Sequence, residues 1–242
     1  MNGFAIVLGI GAALGLLRVS RQRSGKWLDA GLLVLLGTLL GARLGYVLVH
    51  LSYFSQHPAE IAAVRAGGLN GGGAAVGWIL GLLLAAAIQR VAVLRLADWL
   101  YPLLPPLAVA GYLGCWLAGA VYGPQLPPGT WWGVPAPDES GLVALRWPLQ
   151  LAAALALLVF YSLMERMMPL PRPSGWLFSL AASWYVLVDL VVSLLRADPQ
   201  PSWGRLHCDT LGNLVLLALC LGVFVTLTFI ARRQASLKPD RL

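Results

Sequence analysis

Charged residues, cysteines and histidines are all scarce in this chain of 242 residues. Charged side chains make up 11% of it, whereas about a quarter is usual for a water-soluble protein. The three cysteines, Cys115, Cys208 and Cys220, are far apart and the three histidines are unpaired, so neither zinc nor haem ligation is expected. These absences exclude a cytosolic enzyme, a disulfide-stabilised secreted domain and a disordered chain. They also predict that the protein has no metal and no cofactor.

What the chain has instead is apolar sequence in runs long enough to cross a bilayer. Hydrophobic residues make up 59% of it, and its mean hydropathy is +0.76. A membrane-spanning helix takes roughly 20 apolar residues. The runs predict seven such helices, at 3–17, 28–51, 74–94, 98–122, 148–168, 174–195 and 210–231. The predicted fold is an all-α integral membrane protein with one seven-helix domain over residues 1–242.

The basic residues predict how this domain is oriented. Of the 17 Lys and Arg, 12 fall in segments that would share one side of the membrane, and four fall on the other side. Cytoplasmic loops carry the excess of Lys and Arg, so we expect the N-terminus outside and the C-terminus, with its basic tail 232–242, in the cytoplasm. The outward loops are then 52–73, 123–147 and 196–209. This distribution explains the net charge of +7 without nucleic acid, for which the sequence has no binding module.

Two opposite charges, Arg43 and Asp189, lie deep within predicted spans. A charged side chain at the bilayer centre costs about 2.5–3.5 kcal/mol on insertion scales, so each is expected to face a partner, a cavity or a lipid phosphate. Two interpretations stay open. The residues form an intramembrane ion pair, or Arg43 holds an anionic lipid headgroup and Asp189 tunes that binding.

Two sets of glycines also need an explanation. Gly37, Gly41 and Gly45 recur every four residues on one helix face, which is typical of close helix packing. The run at 67–73 is too rich in glycine for an ordinary lipid-facing helix, because each Gly weakens a helix by about 1 kcal/mol. For this run we expect a flexible outer loop.

Short motifs follow one another along most of the chain. They are GARLGYVL at 41–48, GGLNGGG at 67–73, GYLGCWLAGAVYG at 111–123, WGV at 132–134, RWPLQL at 146–151 and LRAD at 195–198. In order and spacing they resemble GGRxGYxx, GG[LM]SFHG, GRxGNFxNGExxG, WGV, RHPSQL and FRxPD of the prolipoprotein diacylglyceryl transferase family. The resemblance implies a bacterial inner-membrane protein with seven spans and an external N-terminus.

The resemblance also implies a reaction, the transfer of diacylglycerol from phosphatidylglycerol to a lipoprotein cysteine. That reaction needs a base for the thiol and cations for the departing glycerol phosphate. Arg43, Arg146 and Arg196 match family arginines and are the candidates for binding a lipid phosphate. At eight other positions the family has Tyr, His, Arg, Asn or Glu, and this chain has a different residue. The residues at these positions are Asn2, Gly72, Tyr112, Cys115, Ala120, Trp147, Asp189 and Ser193.

These replacements favour a catalytically degenerate protein, which binds a phosphatidylglycerol-like phospholipid as an accessory or serves as a subunit of a larger membrane complex. The alternative is an active transferase whose catalytic groups are relocated, with Arg43, Tyr112 and His207 as the candidates. A transporter or channel is a weaker third hypothesis, because no inverted repeat of broken spans is evident.

Overall fold

The computed structural model describes residues 3–22, 27–63, 67–138, 140–166, 172–199, 202–203 and 206–236. Its helices are α1 (Gly3–Gln22), α2 (Leu28–Val49), α3 (Leu51–Phe54), α4 (Gly71–Gln89), α5 (Val93–Leu100), α6 (Leu104–Leu117), α7 (Leu149–Arg166), α8 (Trp176–Leu195) and α9 (Cys208–Ser236). Short 3₁₀ turns occupy Pro58–Ala62 and Tyr101–Leu103. The strands are β1 (Val134–Pro137), β2 (Val143–Arg146), β3 (Ser202–Trp203) and β4 (Leu206–His207), paired antiparallel as β1 with β2 and β3 with β4.

Seven helical stretches of the described chain are long and apolar enough to cross a membrane, which confirms the predicted number. The fourth, Val93–Leu117, begins and ends five residues earlier than predicted. It begins earlier because α5 continues into α6 through the 3₁₀ turn. It ends earlier because Gly119 follows at φ +63°, in the left-handed region that favours glycine and ends helices. The orientation of the termini stays a prediction.

The predicted loops contain more regular structure than their composition suggested. The loop 52–73 holds most of α3, a 3₁₀ turn and the first residues of α4, while 123–147 holds the β1–β2 hairpin. Within 196–209 lie β3, β4 and the first two residues of α9. Arg232 and Arg233, predicted in the cytoplasmic tail, are still helical, and residues 237–242 of that tail lie outside the described residues.

The chain divides into two compact units, residues 19–100 and residues 1–18 with 101–242. In the first unit, α2 and α4 pack backbone against backbone. A Cβ built on Gly41 would lie 2.4 Å from the carbonyl oxygen of Gly73, and one built on Gly77 would lie 2.1 Å from that of Gly37. Close packing by the glycines of α2 is thereby confirmed.

The glycine run at 67–73 is therefore more than the flexible loop expected from sequence. Gly67 and Gly68 adopt positive φ values of 91° and 76°, and the last three glycines begin α4. Asn70 caps that helix, since its side-chain oxygen accepts a hydrogen bond from the Gly73 N–H at 2.8 Å. The run combines a turn, a helix cap and a helix-packing surface.

The second unit packs large side chains instead. Its core lies among α6, α7 and α8 and is centred on the buried residues Tyr101, Tyr112, Leu157, Tyr161 and Ala181. Phe160 of α7 stacks on Trp184 of α8, with ring centroids 4.4 Å apart. This unit contains the predicted site residues except Arg43.

Candidate functional site

Asp189, the acid deep within α8, is held by side chains from two other helices. Its Oδ1 accepts a hydrogen bond from the Tyr112 hydroxyl of α6 at 2.7 Å, and its Oδ2 accepts one from the Asn213 amide of α9 at 2.8 Å. Each carboxylate oxygen thus has a donor, as a buried acid requires. We call Tyr112, Asp189 and Asn213 the acid cluster.

Sequence reasoning identified two members of the acid cluster and missed the third. Tyr112 and Asp189 were singled out separately, and the structure brings them together across 77 residues of sequence. Asn213 was missed, although it is the one amide side chain within the apolar run 210–231, and that contrast was the available signal. One turn towards the N-terminus of α9, Thr210 donates a hydrogen bond to Ser193 at 3.1 Å, a contact that links α8 and α9 again.

Arg196, at the end of α8, is paired with two carboxylates. Its Nε donates to Asp198 Oδ1 at 2.6 Å, its Nη2 donates to Asp198 Oδ2, and its Nη1 lies 3.2 Å from Asp209 Oδ2. Asp198 also accepts a hydrogen bond from the Val121 N–H at 3.3 Å. A guanidinium already in a bidentate pair with one acid and in contact with another is poorly placed to bind a phosphate.

Arg146, at the end of β2, is paired with one carboxylate, and its Nε has no hydrogen-bond partner among the described residues. Its Nη2 lies 3.2 Å from Asp138 Oδ2, and its guanidinium carbon lies 4.4 Å from the centroid of the Tyr122 ring. Hydrogen bonds from the Ser140 hydroxyl and from backbone N–H groups, together with the Arg146 charge, hold the pKa of Asp138 below its usual range. Gln150 of α7 secures the neighbouring chain by donating to the Ala120 carbonyl at 2.9 Å.

Arg43 lies in the other unit and contacts main-chain oxygens. The residue is 6% exposed. Its guanidinium donates four hydrogen bonds of 2.6–3.1 Å, to the carbonyl oxygens of Glu60, Ile61, Gly67 and Gly68. A guanidinium has five N–H donors, so these bonds leave one for a lipid phosphate. The positive φ of Gly67 and Gly68 turns their carbonyls towards Arg43, which ties the loop to α2.

An ion pair, one of the two interpretations of Arg43 and Asp189, would join residues of different units. Each side chain has its hydrogen-bond partners within its own unit, so neither depends on the other for satisfaction. The pair stays a prediction, and the reason for proposing it is weaker.

His207 and Cys208 lie at the junction of β4 and α9. Within the described part of the chain, the Nδ1 of His207 has no hydrogen-bond partner. Cys208, expected in a loop, is the exposed first residue of α9. No cluster of three potential metal ligands occurs among the described residues.

An apolar recess of about 320 Å³ lies among α1, α6 and α7, within the range of small-molecule sites. Its walls include Ile10, Leu14, Val109, Leu113 and Leu158. At one end Arg18 pairs with Glu165. A lining that is mostly apolar and includes one charged pair suits an amphiphile.

Comparisons with known proteins point to the same family as the sequence motifs. Residues 1–232 match the family model described as prolipoprotein diacylglyceryl transferase. A Bordetella avium protein named phosphatidylglycerol–prolipoprotein diacylglyceryl transferase is 33% identical over 92% of this chain and 86% of its own length. A Geobacter sulfurreducens protein of the same name is 30% identical over 93% of this chain and 90% of its own length.

Proposed function

The chain belongs to the prolipoprotein diacylglyceryl transferase family, and we propose that it is a member that binds phospholipid without transferring diacylglycerol. It acts as a lipid-binding accessory or as a subunit of a larger complex in the bacterial inner membrane. The ligand is a phosphatidylglycerol-like lipid, the substrate named for the relatives.

The observation that carries this proposal is the acid cluster. Diacylglyceryl transfer releases a glycerol phosphate, and fixed cations stabilise such an anion. At Tyr112 and Asp189, where the family resemblance implies two arginines, this chain places a phenol and a carboxylate in hydrogen-bond contact. A carboxylate repels a phosphate, so the cluster favours a structural contact over anion stabilisation.

The remaining arginines support the same proposal. Arg146 and Arg196 are paired with carboxylates, and Arg43 is bound to backbone carbonyls. The apolar recess among α1, α6 and α7 supports lipid binding, because its apolar side chains can contact an acyl chain.

The second candidate function is active transfer with relocated groups. One observation favours it, the 33% identity to a protein named for that activity over nearly the whole chain. In that case Arg43, with one unused N–H, would hold the phosphate, and Tyr112 or His207 would move the proton.

A transfer assay distinguishes the two candidates. The purified chain, in nanodiscs of phosphatidylglycerol with a labelled acyl chain, is incubated with a peptide carrying the cysteine acceptor, beside the Bordetella avium relative as positive control. We expect no labelled peptide above the protein-free background, and phosphatidylglycerol retained on the chain in native mass spectrometry. Labelled peptide above the protein-free background would overturn the proposal.

A further inference from the structure

The β1–β2 hairpin and the chain leading to it carry large apolar side chains that nothing in the described structure covers. Trp131 is 91% exposed, Leu142 is 66% exposed and Val143 is 62% exposed. These residues lie between α6 and α7, outside the membrane-spanning helices. Exposed apolar groups of this size outside the spans indicate an interaction surface.

One end of the hairpin is fixed at the start of a membrane helix. Trp147 follows β2 directly and precedes the first residue of α7 by two positions. Its backbone N–H donates to the Pro124 carbonyl at 3.1 Å. A Cβ built on Gly123 would lie 2.5 Å from the Trp147 Cβ. The ring of Trp132 packs edge-on against that of Trp147, with centroids 5.3 Å apart. This end of the hairpin is therefore at the level where α7 enters the membrane.

The opposite end of the hairpin is fixed at the end of another membrane helix. Gly119 lies two residues beyond α6, and a Cβ built on it would lie 3.2 Å from the Asp138 carbonyl oxygen and 3.3 Å from that of Pro137. Pro137 is the last residue of β1, and its partner in the register is Val143. The turn end of the hairpin is thus also at the level where a span ends.

With both ends at span termini, the strands run along the membrane surface instead of projecting away from it. We propose that the β1–β2 hairpin lies flat on the bilayer and that Trp131, Leu142 and Val143 insert into the lipid headgroup region. Tryptophan is enriched at this depth because its ring is apolar and its N–H is polar. The occupant of the surface is the lipid of the surrounding bilayer.

The Asp138 carboxylate at the turn fits this placement because both of its oxygens are bonded within the hairpin. Asp138 Oδ1 accepts from the Ser140 hydroxyl and from the N–H groups of Ser140 and Leu142, while its Oδ2 faces Arg146. Backbone and charged groups satisfied internally can approach lipid at a lower cost than unpaired ones. The inference does not depend on whether the chain is catalytic.

Depth measurement with a nitroxide label tests the proposal. In a background with Ala at the three cysteines, a label is placed at Leu142→Cys, with Gln125→Cys as a control at an exposed polar residue of the chain leading to the hairpin. In nanodiscs of phosphatidylglycerol and phosphatidylethanolamine, we expect collisions with oxygen relative to those with a water-soluble nickel complex to be several-fold higher at position 142. Equal ratios at 125 and 142 would overturn the proposal and leave the surface open to a protein partner.

A second measurement needs no cysteine background. Wild type and the Trp131→Phe variant are compared in nanodiscs whose lipids are brominated close to the headgroup. We expect the fluorescence contributed by Trp131, taken as the difference between the two proteins, to be strongly quenched. An unquenched Trp131 signal in the brominated lipids would contradict insertion. This result would hold even if every cysteine variant failed to fold.

Discussion

Arg43 and Asp189 show two ways of burying a charge in a membrane protein. The guanidinium in the unit 19–100 is satisfied by backbone carbonyls, whereas the carboxylate in the other unit is satisfied by two side chains. Any residue supplies a carbonyl, so the first solution constrains backbone conformation and depends on glycines at positive φ. The second constrains residue identity at Tyr112 and Asn213.

The two units also differ in whether backbone or side chains form the contact between neighbouring helices. Between α2 and α4 the backbones touch, and a single added carbon atom has no space. Between α7 and α8 the contact is made by aromatic side chains, which can shift rotamers. Substitutions are therefore expected to be tolerated worse at glycines of the first region than at side chains of the second.

The largest effect is expected from Gly77→Leu in α4. The added Cβ alone would lie 2.1 Å from the Gly37 carbonyl oxygen, so the helices must separate. We expect a loss of about 3 kcal/mol or more, measured as a fall in the thermal unfolding midpoint in detergent. Gly222→Leu in α9, where nothing lies within 4 Å, is the control and should leave the midpoint nearly unchanged. Equal shifts in the two variants would refute backbone contact as the cause.

Arg43→Ala should have the next largest effect, because it removes the donor of four buried hydrogen bonds. Leaving buried acceptors unpaired costs roughly 1–3 kcal/mol each before water compensates, so we expect a total of about 3 kcal/mol in the free energy of unfolding. The exposed Arg95→Ala is the matched control for loss of a positive charge. An Arg43→Ala protein as stable as the Arg95→Ala protein would show that these carbonyls do not need the guanidinium.

Removing a single hydrogen bond of the acid cluster is expected to have a smaller total effect than Arg43→Ala. Hydrogen bonds between membrane helices contribute about 1 kcal/mol, so Tyr112→Phe should lower the free energy of unfolding by that amount. In an Asp189→Ala background the same substitution should cost much less, because the acceptor is already gone. An unchanged cost in that background would show that the hydroxyl acts through another contact.

A double-mutant cycle sharpens the comparison between the two charges. If Arg43 and Asp189 depend only on their own units, the effects of Arg43→Ala and Asp189→Ala add to within about 0.5 kcal/mol. A coupling energy well above about 0.5 kcal/mol, with the double variant more stable than the two single losses predict, would support the ion pair. The free energy of unfolding of all four proteins, in one lipid mixture, is the measurement.

The smallest expected effect concerns pH and the turn of the hairpin. The pKa of Asp138 is lower in the folded protein than in the unfolded chain, so its ionised form stabilises the turn. This stabilisation is complete above the unfolded pKa of about 3.9 and is lost as pH falls through the folded-state pKa. A label at position 142 should therefore become more mobile below about pH 4, and Asp138→Asn should abolish that pH dependence.

The sequence predicted the seven spans because length and hydropathy are properties of local sequence. It misplaced the fourth because the end of α6 depends on the φ of Gly119, which no hydropathy pattern reveals. The hairpin escaped prediction because its strands are four residues long and β1 contains two prolines.

The candidate site was harder to predict because its contacts join distant residues. Tyr112 and Asp189 are 77 residues apart, and the partners of Arg43 are main-chain atoms that every residue possesses. The side-chain identities were visible in the sequence. The pairing of Arg196 with Asp198 was within reach, since only two positions separate them.

The length of α9 has a consequence for the surrounding lipid. The membrane-spanning part of α9 has 26 residues, which at 1.5 Å per residue gives about 39 Å. A hydrocarbon layer of about 30 Å is too thin for a helix of this length, so we expect α9 to tilt. The protein would then respond to a change in bilayer thickness through the tilt of α9.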